Sequence, residues 1–494
     1  MQQATIAFFL ITALVSAEMA FAGTYGGAAL PSPVAFVNAA DQAATVDVRS
    51  YGAKGDGITD DSKAVQAAID DAVANGVTTV LFPSGTFLVD SVCLASGVTY
   101  RGVGAILKKI ANAGKWSRMF STGCDAKGRI NYRYSGAADS PWLEITGFAF
   151  DGNRTNQGRY RHYQLEQQHI LLLTADVDKP GRLRAYIHDN LFHDGVADAI
   201  EVYTNVEARI VHNQARDFFR GGLVVTGGNT KLFVKDFVTE STDLLTGVHF
   251  EIDGEGYGKS LAVDATLDNL RLASQLVLEL GRNSKIHVAD LILRSPPFVI
   301  AGSGESNILI ENSEIAVGPK SSYINRIVEP GNLVFENTIL TLSPQELTVS
   351  PQDKQLDDSE YIALHIFWNV LRMDAPPQKV VCRRCVFAVS PALVGRTDLT
   401  TLAVYEEASK LDSDNAVVLE NVLIPYAYKT AARLPFGGSI SIVGSEIDTP
   451  LVIHAFGRAP YNYSVRLLSN SYGPNVVNHI VANKDDVKNM SLEQ

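Results

Sequence analysis

A ladder of small polar residues recurs along the chain: Asn190, Asn213, Asp236, Asn269, Asp290, Asn312, Asn337, Asn421 and Gly444. Each anchor after Asn190 has an apolar residue two positions before it, and an alternating apolar stretch follows. Ile310-Glu311-Asn312-Ser313-Glu314-Ile315 and Leu419-Glu420-Asn421-Val422-Leu423-Ile424 show the frame. The spacing is about 22 residues, a period that marks stacked structural repeats. Alternation with period 2 inside each repeat marks strands rather than helices. Short strands stacked at this spacing wind into an all-β fold, a right-handed single-stranded parallel β-helix. Asn suits the corner, since it tolerates a left-handed backbone and stacks amide on amide between coils. Function then has to sit on the outward face of the coils.

A solenoid grows by adding coils, so 494 residues need not mean several domains. The spacing predicts a β-helix with an N-terminal cap over residues 46–449. Residues 450–494 are expected to form a C-terminal cap or tail. Residues 4–17 are almost wholly apolar, and Ala20-Phe21-Ala22 supplies a small-residue cleavage pattern. This predicts a signal peptide over 1–22, then an Ala/Gly/Pro-rich linker over 23–45, and a secreted or periplasmic protein. No later stretch reaches the roughly 20 apolar residues that span a bilayer, so no stable membrane insertion is expected after signal removal. A net charge of -12 argues against a nucleic-acid partner. The oligomeric state is open.

Cys382 and Cys385 form a C-x-x-C pair, but Cys382-Arg383-Arg384-Cys385 overlays the repeat frame at Phe335-Glu336-Asn337-Thr338. They are expected to fill repeat positions rather than do redox chemistry. A disulfide between them stays open in an oxidising compartment. Cys93 and Cys124 lack the spacing of a second zinc-ligand pair.

The segment from Tyr51 to Asp61 (YGAKGDGITDD) is a tight glycine turn system that Asp60 or Asp61 closes by capping a helix. In that helix Val65, Ala68, Ile69, Ala72 and Val73 make one apolar face, and Gly76 ends it. A short one-faced helix needs a surface to cover, and the open end of a solenoid offers one. The glycine turn, the helix, Leu81 to Phe87 (LFPSGTF) and Gly97 to Gly104 (GVTYRGVG) resemble the opening of the pectate-lyase-like superfamily. Its members include rhamnogalacturonases, polygalacturonases, mannuronan C5-epimerases and phage tailspikes. The resemblance covers residues 45–105 and implies the fold and a polysaccharide partner. Phe150-Asp151-Gly152-Asn153-Arg154 resembles a segment near the epimerases' sugar groove. The chain lacks Gly-His-Gly, a paired-Asp motif in a coil and Asp-Pro-His, so no catalytic residue is carried over.

The candidate site therefore comes from the pattern of the strands after each corner. Alternation predicts Ile200, Val202, Leu223, Val225, Val248, Phe250, Ile252, Leu276 and Leu278 inward. Glu201, Tyr203, Val224, His249, Glu251, Asp253 and Glu279 then point outward. Glu251 with Glu279 on a neighbouring coil fits the roughly 5–5.5 Å of a retaining glycosidase, and Glu251 with Asp253 fits the wider inverting spacing. Glu201 is the further carboxylate. Hydrolysis by a carboxylate pair is favoured over β-elimination or C5-epimerisation of a uronate by Tyr203, His249 and an Arg. Arg154, Arg159 and Tyr160, in a loop after the 143–150 strand, are expected to wall a sugar groove, with Arg220 and Arg282 adding positive charge. Asp253 and Glu255 leave a Ca²⁺ site open, but two carboxylates fall short of the roughly six to eight oxygens Ca²⁺ takes and no specific motif supports one, so no cofactor is expected. The competing class is a non-catalytic carbohydrate-binding or structural β-helix.

Overall fold

The computed structural model describes residues 45–124, 140–158, 165, 167–175, 181–240, 246–252, 262–294, 298–302, 305–318, 326–344, 361–368, 377–396, 399–406, 415–425, 432–434, 438–448, 452–455, 461–473, 479–482 and 487–493. The expected signal peptide and most of the linker lie outside them. Strands dominate, and every strand pairing is parallel, coil onto coil. One coil runs Val206–Val211, Gln214–Arg216, Gly221–Val225. Each of these three pairs with its counterpart in the next coil. The parallel β-helix expected from the repeat is the fold.

The corner chemistry is more specific than the ladder of anchors suggested. Asp236, Asn269, Asp290, Asn312, Asn337, Asn421 and Gly444 do take a left-handed backbone. In the two earliest coils, however, Asp189 and His212 are the left-handed residues, while Asn190 and Asn213 follow them and turn inward. Asn213 Nδ2 donates to the Ile187 and Val211 carbonyls at 2.8 and 3.0 Å. Its Oδ1 accepts from Asn190 Nδ2 at 3.0 Å, so the amides stack between coils. Two positions per corner are thus under separate demands: one for backbone, one for buried hydrogen bonding. Arg384 supplies the left-handed corner in the coil where the ladder had a gap.

The inward residues build one continuous core. Ile200, Val202, Leu223, Val225, Val248, Phe250, Leu276, Leu278, Ile310 and Phe335 are all buried. Near the N-terminal end the core is aromatic, with Phe150 stacked on Phe192 at 4.7 Å and Phe82 edge-on to Phe148 at 5.2 Å. Cys382 and Cys385 occupy core positions as free, buried thiols. The bridge is instead Cys93–Cys124, 31 residues apart, which the zinc-spacing argument had passed over.

The cap helix runs Ser62–Ala74. Val65, Ala68, Ile69 and Ala72 are buried against the first strands, while Val73 is 53% exposed. The two aspartates divide the work. Asp60 accepts from Ser62 N at 3.0 Å at the helix start, and Asp61 turns back to accept from Lys54 N and Gly55 N. Coils also continue past residue 449, where the periodicity had faded. Tyr461–Leu468 pairs in parallel with Gly438–Val443, and Val487–Glu493 with Tyr461–Leu468. Residues 450–494 therefore carry further coil strands, not only a cap or tail.

Candidate active site

The strands expected to carry the site, observed as Asp198–Val202, Gly221–Val225, Thr246–Glu251, Gln275–Glu279 and Phe298–Ala301, stack in that order, and Leu171–Leu173 pairs ahead of them. Register decides which outward side chains share a row. Leu172, Glu201, Val224, His249 and Val277 form one row across the coils. Glu251 faces Glu279 in the adjacent row. Their Cα positions are partners on neighbouring strands, about 4.8 Å apart along the axis. Glu201 lies two coils from Glu251, as expected, but in the row of His249.

The outward face is not a solvated one here. Val224 is fully buried, and so is Glu201, at 3% exposure. The reason is a network of charges that strand periodicity did not reveal. His169, on the segment leading into Leu171–Leu173, is fully buried. Its Nδ1 lies 2.9 Å from Asp198 Oδ2, and its Nε2 lies 2.7 Å from Glu201 Oε2. Asp198 is itself completely buried. Thr226 Oγ1 donates to Glu201 Oε1 at 3.2 Å. Arg118, buried, donates to the Trp116 carbonyl and to Gln167 Oε1.

Arg220 connects this interior to the rim. One guanidinium nitrogen is 3.5 Å from Asp198 Oδ2, and the other donates to Glu251 Oε2 at 2.5 Å. Gly221 is required beside them: a Cβ there would sit 2.8 Å from Asp198 Oδ1 and 2.5 Å from the Val224 side chain. Glu251 and Glu279 are partly open, at 35% and 39% side-chain exposure, and His249 Nε2 lies 3.6 Å from Glu279 Oε2. The site thus has a buried charged floor and an accessible carboxylate pair.

The electrostatics follow from that layering. Burial alone would raise the Glu201 carboxyl, but His169, Arg118 and Arg220 outweigh it and hold it at about 2. Burial would depress the His169 imidazole, and Glu201 and Asp198 overcome it and raise it. Burial lowers the Arg118 guanidinium, with Glu201 opposing. Glu201 is therefore a structural anion at any working pH.

The remaining expected residues scatter. Tyr203 closes the Asp198 strand, its N–H donating to the Leu173 carbonyl at 2.8 Å. Arg282 is exposed in the turn after Gln275–Glu279. Arg154 opens the turn Arg154–Asn156, its N–H donating to the Asp194 carbonyl. Asp253, Arg159 and Tyr160, with Glu255, lie outside the described residues. His169, Asp198 and Arg118 were missed. Asp198 precedes the alternating stretch, and the other two belong to segments with no repeat signal. Elsewhere Asp151, His193 and Asp194 bring possible ligand atoms within 4.8 Å of one another. Lys108 Nζ already neutralises Asp151 at 2.7 Å, so this group is not cast as a metal centre.

Residues 45–235 match the family described as rhamnogalacturonase A/epimerase, pectate lyase-like. Over these residues the chain resembles the pectate-lyase-like family, and its described coils form a parallel β-helix. The match spans the cap, the early coils and the buried network through Arg220, and ends before Glu251. No curated protein sequence matches. Among solved structures, the β-helix is similar to the A-module of Azotobacter vinelandii mannuronan C-5 epimerase AlgE4, at 12% identity and TM-score 0.39, over 91% of this chain and 100% of that one. It is similar to the Streptococcus pneumoniae surface adhesin PfbA at 13% identity and TM-score 0.44, over 89% and 91%. The Yersinia enterocolitica family 28 exopolygalacturonase gives 13% and 0.40, over 86% and 78%. No helix among the described residues is long and apolar enough to cross a membrane.

Proposed function

We propose that this chain is a secreted polysaccharide-active enzyme that hydrolyses glycosidic bonds with Glu251 and Glu279. The observation that carries the reading is the register of Glu251 against Glu279 beside Arg220. The roughly 4.8 Å spacing of neighbouring strands is compatible with the roughly 5–5.5 Å carboxylate separation that retaining hydrolysis uses. Arg220 binds Glu251 in its charged form, which suits the carboxylate that attacks the anomeric carbon. Glu279, one coil along and beside His249, then protonates the glycosidic oxygen as the bond to the leaving sugar breaks. In the second half-reaction Glu279 takes a proton from water, and the hydroxide releases the sugar from Glu251. The family description of residues 45–235, which names a rhamnogalacturonase, supports a polysaccharide as the substrate.

The test is incubation of the purified protein with a panel of neutral and uronic-acid polysaccharides, scoring new reducing ends together with ultraviolet absorbance from unsaturated sugar. Hydrolysis predicts reducing ends without that absorbance. Both Glu251→Gln and Glu279→Gln should fold and lose turnover by at least ~100-fold. Normal turnover in Glu251→Gln, with an absorbing product and an inactive Tyr203→Phe, would instead assign β-elimination. Binding of a polymer with no product at all would assign the non-catalytic class.

A further inference from the structure

We propose that His169 is a buried imidazolium that positions Glu251 through Asp198 and Arg220. The inference rests on the reading of Glu251 as the reacting carboxylate and adds the groups that hold it. Two close approaches favour the charge. Each ring nitrogen of His169 lies within ion-pair distance of a carboxylate oxygen, Nδ1 at 2.9 Å from Asp198 and Nε2 at 2.7 Å from Glu201, and Nε2 is also 3.5 Å from Gln167 Oε1. All three are acceptors. A neutral imidazole carries one N–H and would aim a lone pair at one carboxylate inside a site with no solvent.

Charge counting supports the same state. The cluster holds Arg118, Arg220 and His169 against Asp198, Glu201 and Glu251. Among the described residues, removing the proton from the imidazole takes away the positive charge nearest to both buried carboxylates, Asp198 and Glu201. Among the described residues, the cation then left beside Asp198 is Arg220, 3.5 Å away. Drawing the guanidinium inward lengthens its contact with Glu251, because the same side chain makes both. His169 therefore sets the orientation of a carboxylate it never touches, over the path His169–Asp198–Arg220–Glu251. It is a positioning residue, and Arg220 is the hinge of the path.

The charge is read directly by histidine side-chain ¹⁵N chemical shifts at pH 7.5, with the His169 signal assigned by its loss in His169→Gln. The expected result is a doubly protonated His169 at a pH where ordinary imidazoles are mostly neutral. The positioning is read by pH profiles on an active polysaccharide. Wild-type kcat should fall on the alkaline side as His169 loses its proton. His169→Gln should lose ~10-fold or more in kcat with little change in KM, and its alkaline limb should vanish. Arg220→Lys leaves the His169 contacts in place and cuts the link to Glu251. It should lower kcat similarly while keeping the imidazolium signal, and it serves alone if His169→Gln does not fold. A neutral His169 at pH 7.5, or an Arg220→Lys enzyme with wild-type kcat, overturns the proposal. If Glu251→Gln retains full turnover while the imidazolium is seen, the assignment of Glu251 has failed and the charge state has not.

Discussion

At a coil corner, two adjacent residues answer to different physics. His212 needs a left-handed backbone, which many short polar residues or glycine can supply. Asn213 needs both a donor and an acceptor in a buried place, because the Ile187 and Val211 carbonyls and the Asn190 amide all depend on it. Asn213→Ala should cost about 2–4 kcal/mol, since it strands several buried polar groups, whereas His212→Gly should shift stability by under about 1 kcal/mol. Urea unfolding of the two variants checks the contrast; equal effects would mean that the corner is held by backbone conformation alone. The repeat of Asn in the sequence located the corner to within a residue. It could not say which of the two demands each Asn meets, because both favour Asn.

At the scale of an element, the cap helix shows what periodicity can carry. Val65, Ala68, Ile69 and Ala72 lie on one stripe and are buried, as the pattern implied. Val73, eight positions after Val65, is rotated about 80° from it, enough to leave the stripe and face outward. The helix packs on Thr45–Asp47, Thr79–Phe82 and Val92–Cys93. Deleting residues 62–74 would expose Val48 and Val80, both fully buried now, at the end of a parallel stack with unpaired strand edges. The expected outcome is aggregation, visible by light scattering during purification. A soluble deletion variant with native activity would show that the helix is not the cap. The bridge between Cys93 and Cys124 lies in the same region. No spacing rule pointed to it, since pairing depends on two coils meeting and not on sequence distance.

Across the whole molecule, the buried charge network ties stability to pH from both sides. The folded Glu201 carboxyl, at about 2 against an ordinary 4.5, contributes stability that is present above 4.5 and lost as pH falls toward 2. The raised His169 contributes in the opposite sense: its stabilisation is complete below the ordinary 6.5 and disappears as pH rises through its folded value. Thermal melting should therefore be highest between about pH 4.5 and 6.5 and decline on either side. In Glu201→Gln the acid-side decline should shrink, measured by calorimetry across that range. An acid limb identical to wild type would place the sensitivity in surface pairs such as Glu144 with His188, whose folded values are also moved apart.

The sequence by itself determined the coils, their strands and which side chains point inward, because a period of one coil and a period of two residues are local and additive. It also placed Glu251, Glu279 and His249 on one outward face, since period-2 alternation puts all three on the same side of their strands. Only the tertiary structure decided that this face is partly an interior. Arg118 and His169 come from earlier segments that no repeat governs, and they turn Glu201 from a solvated charge into a buried one. Residues about 30 to 80 positions apart meet there because a β-helix returns the chain to the same face once per coil, and the charge a carboxylate carries depends on what it meets.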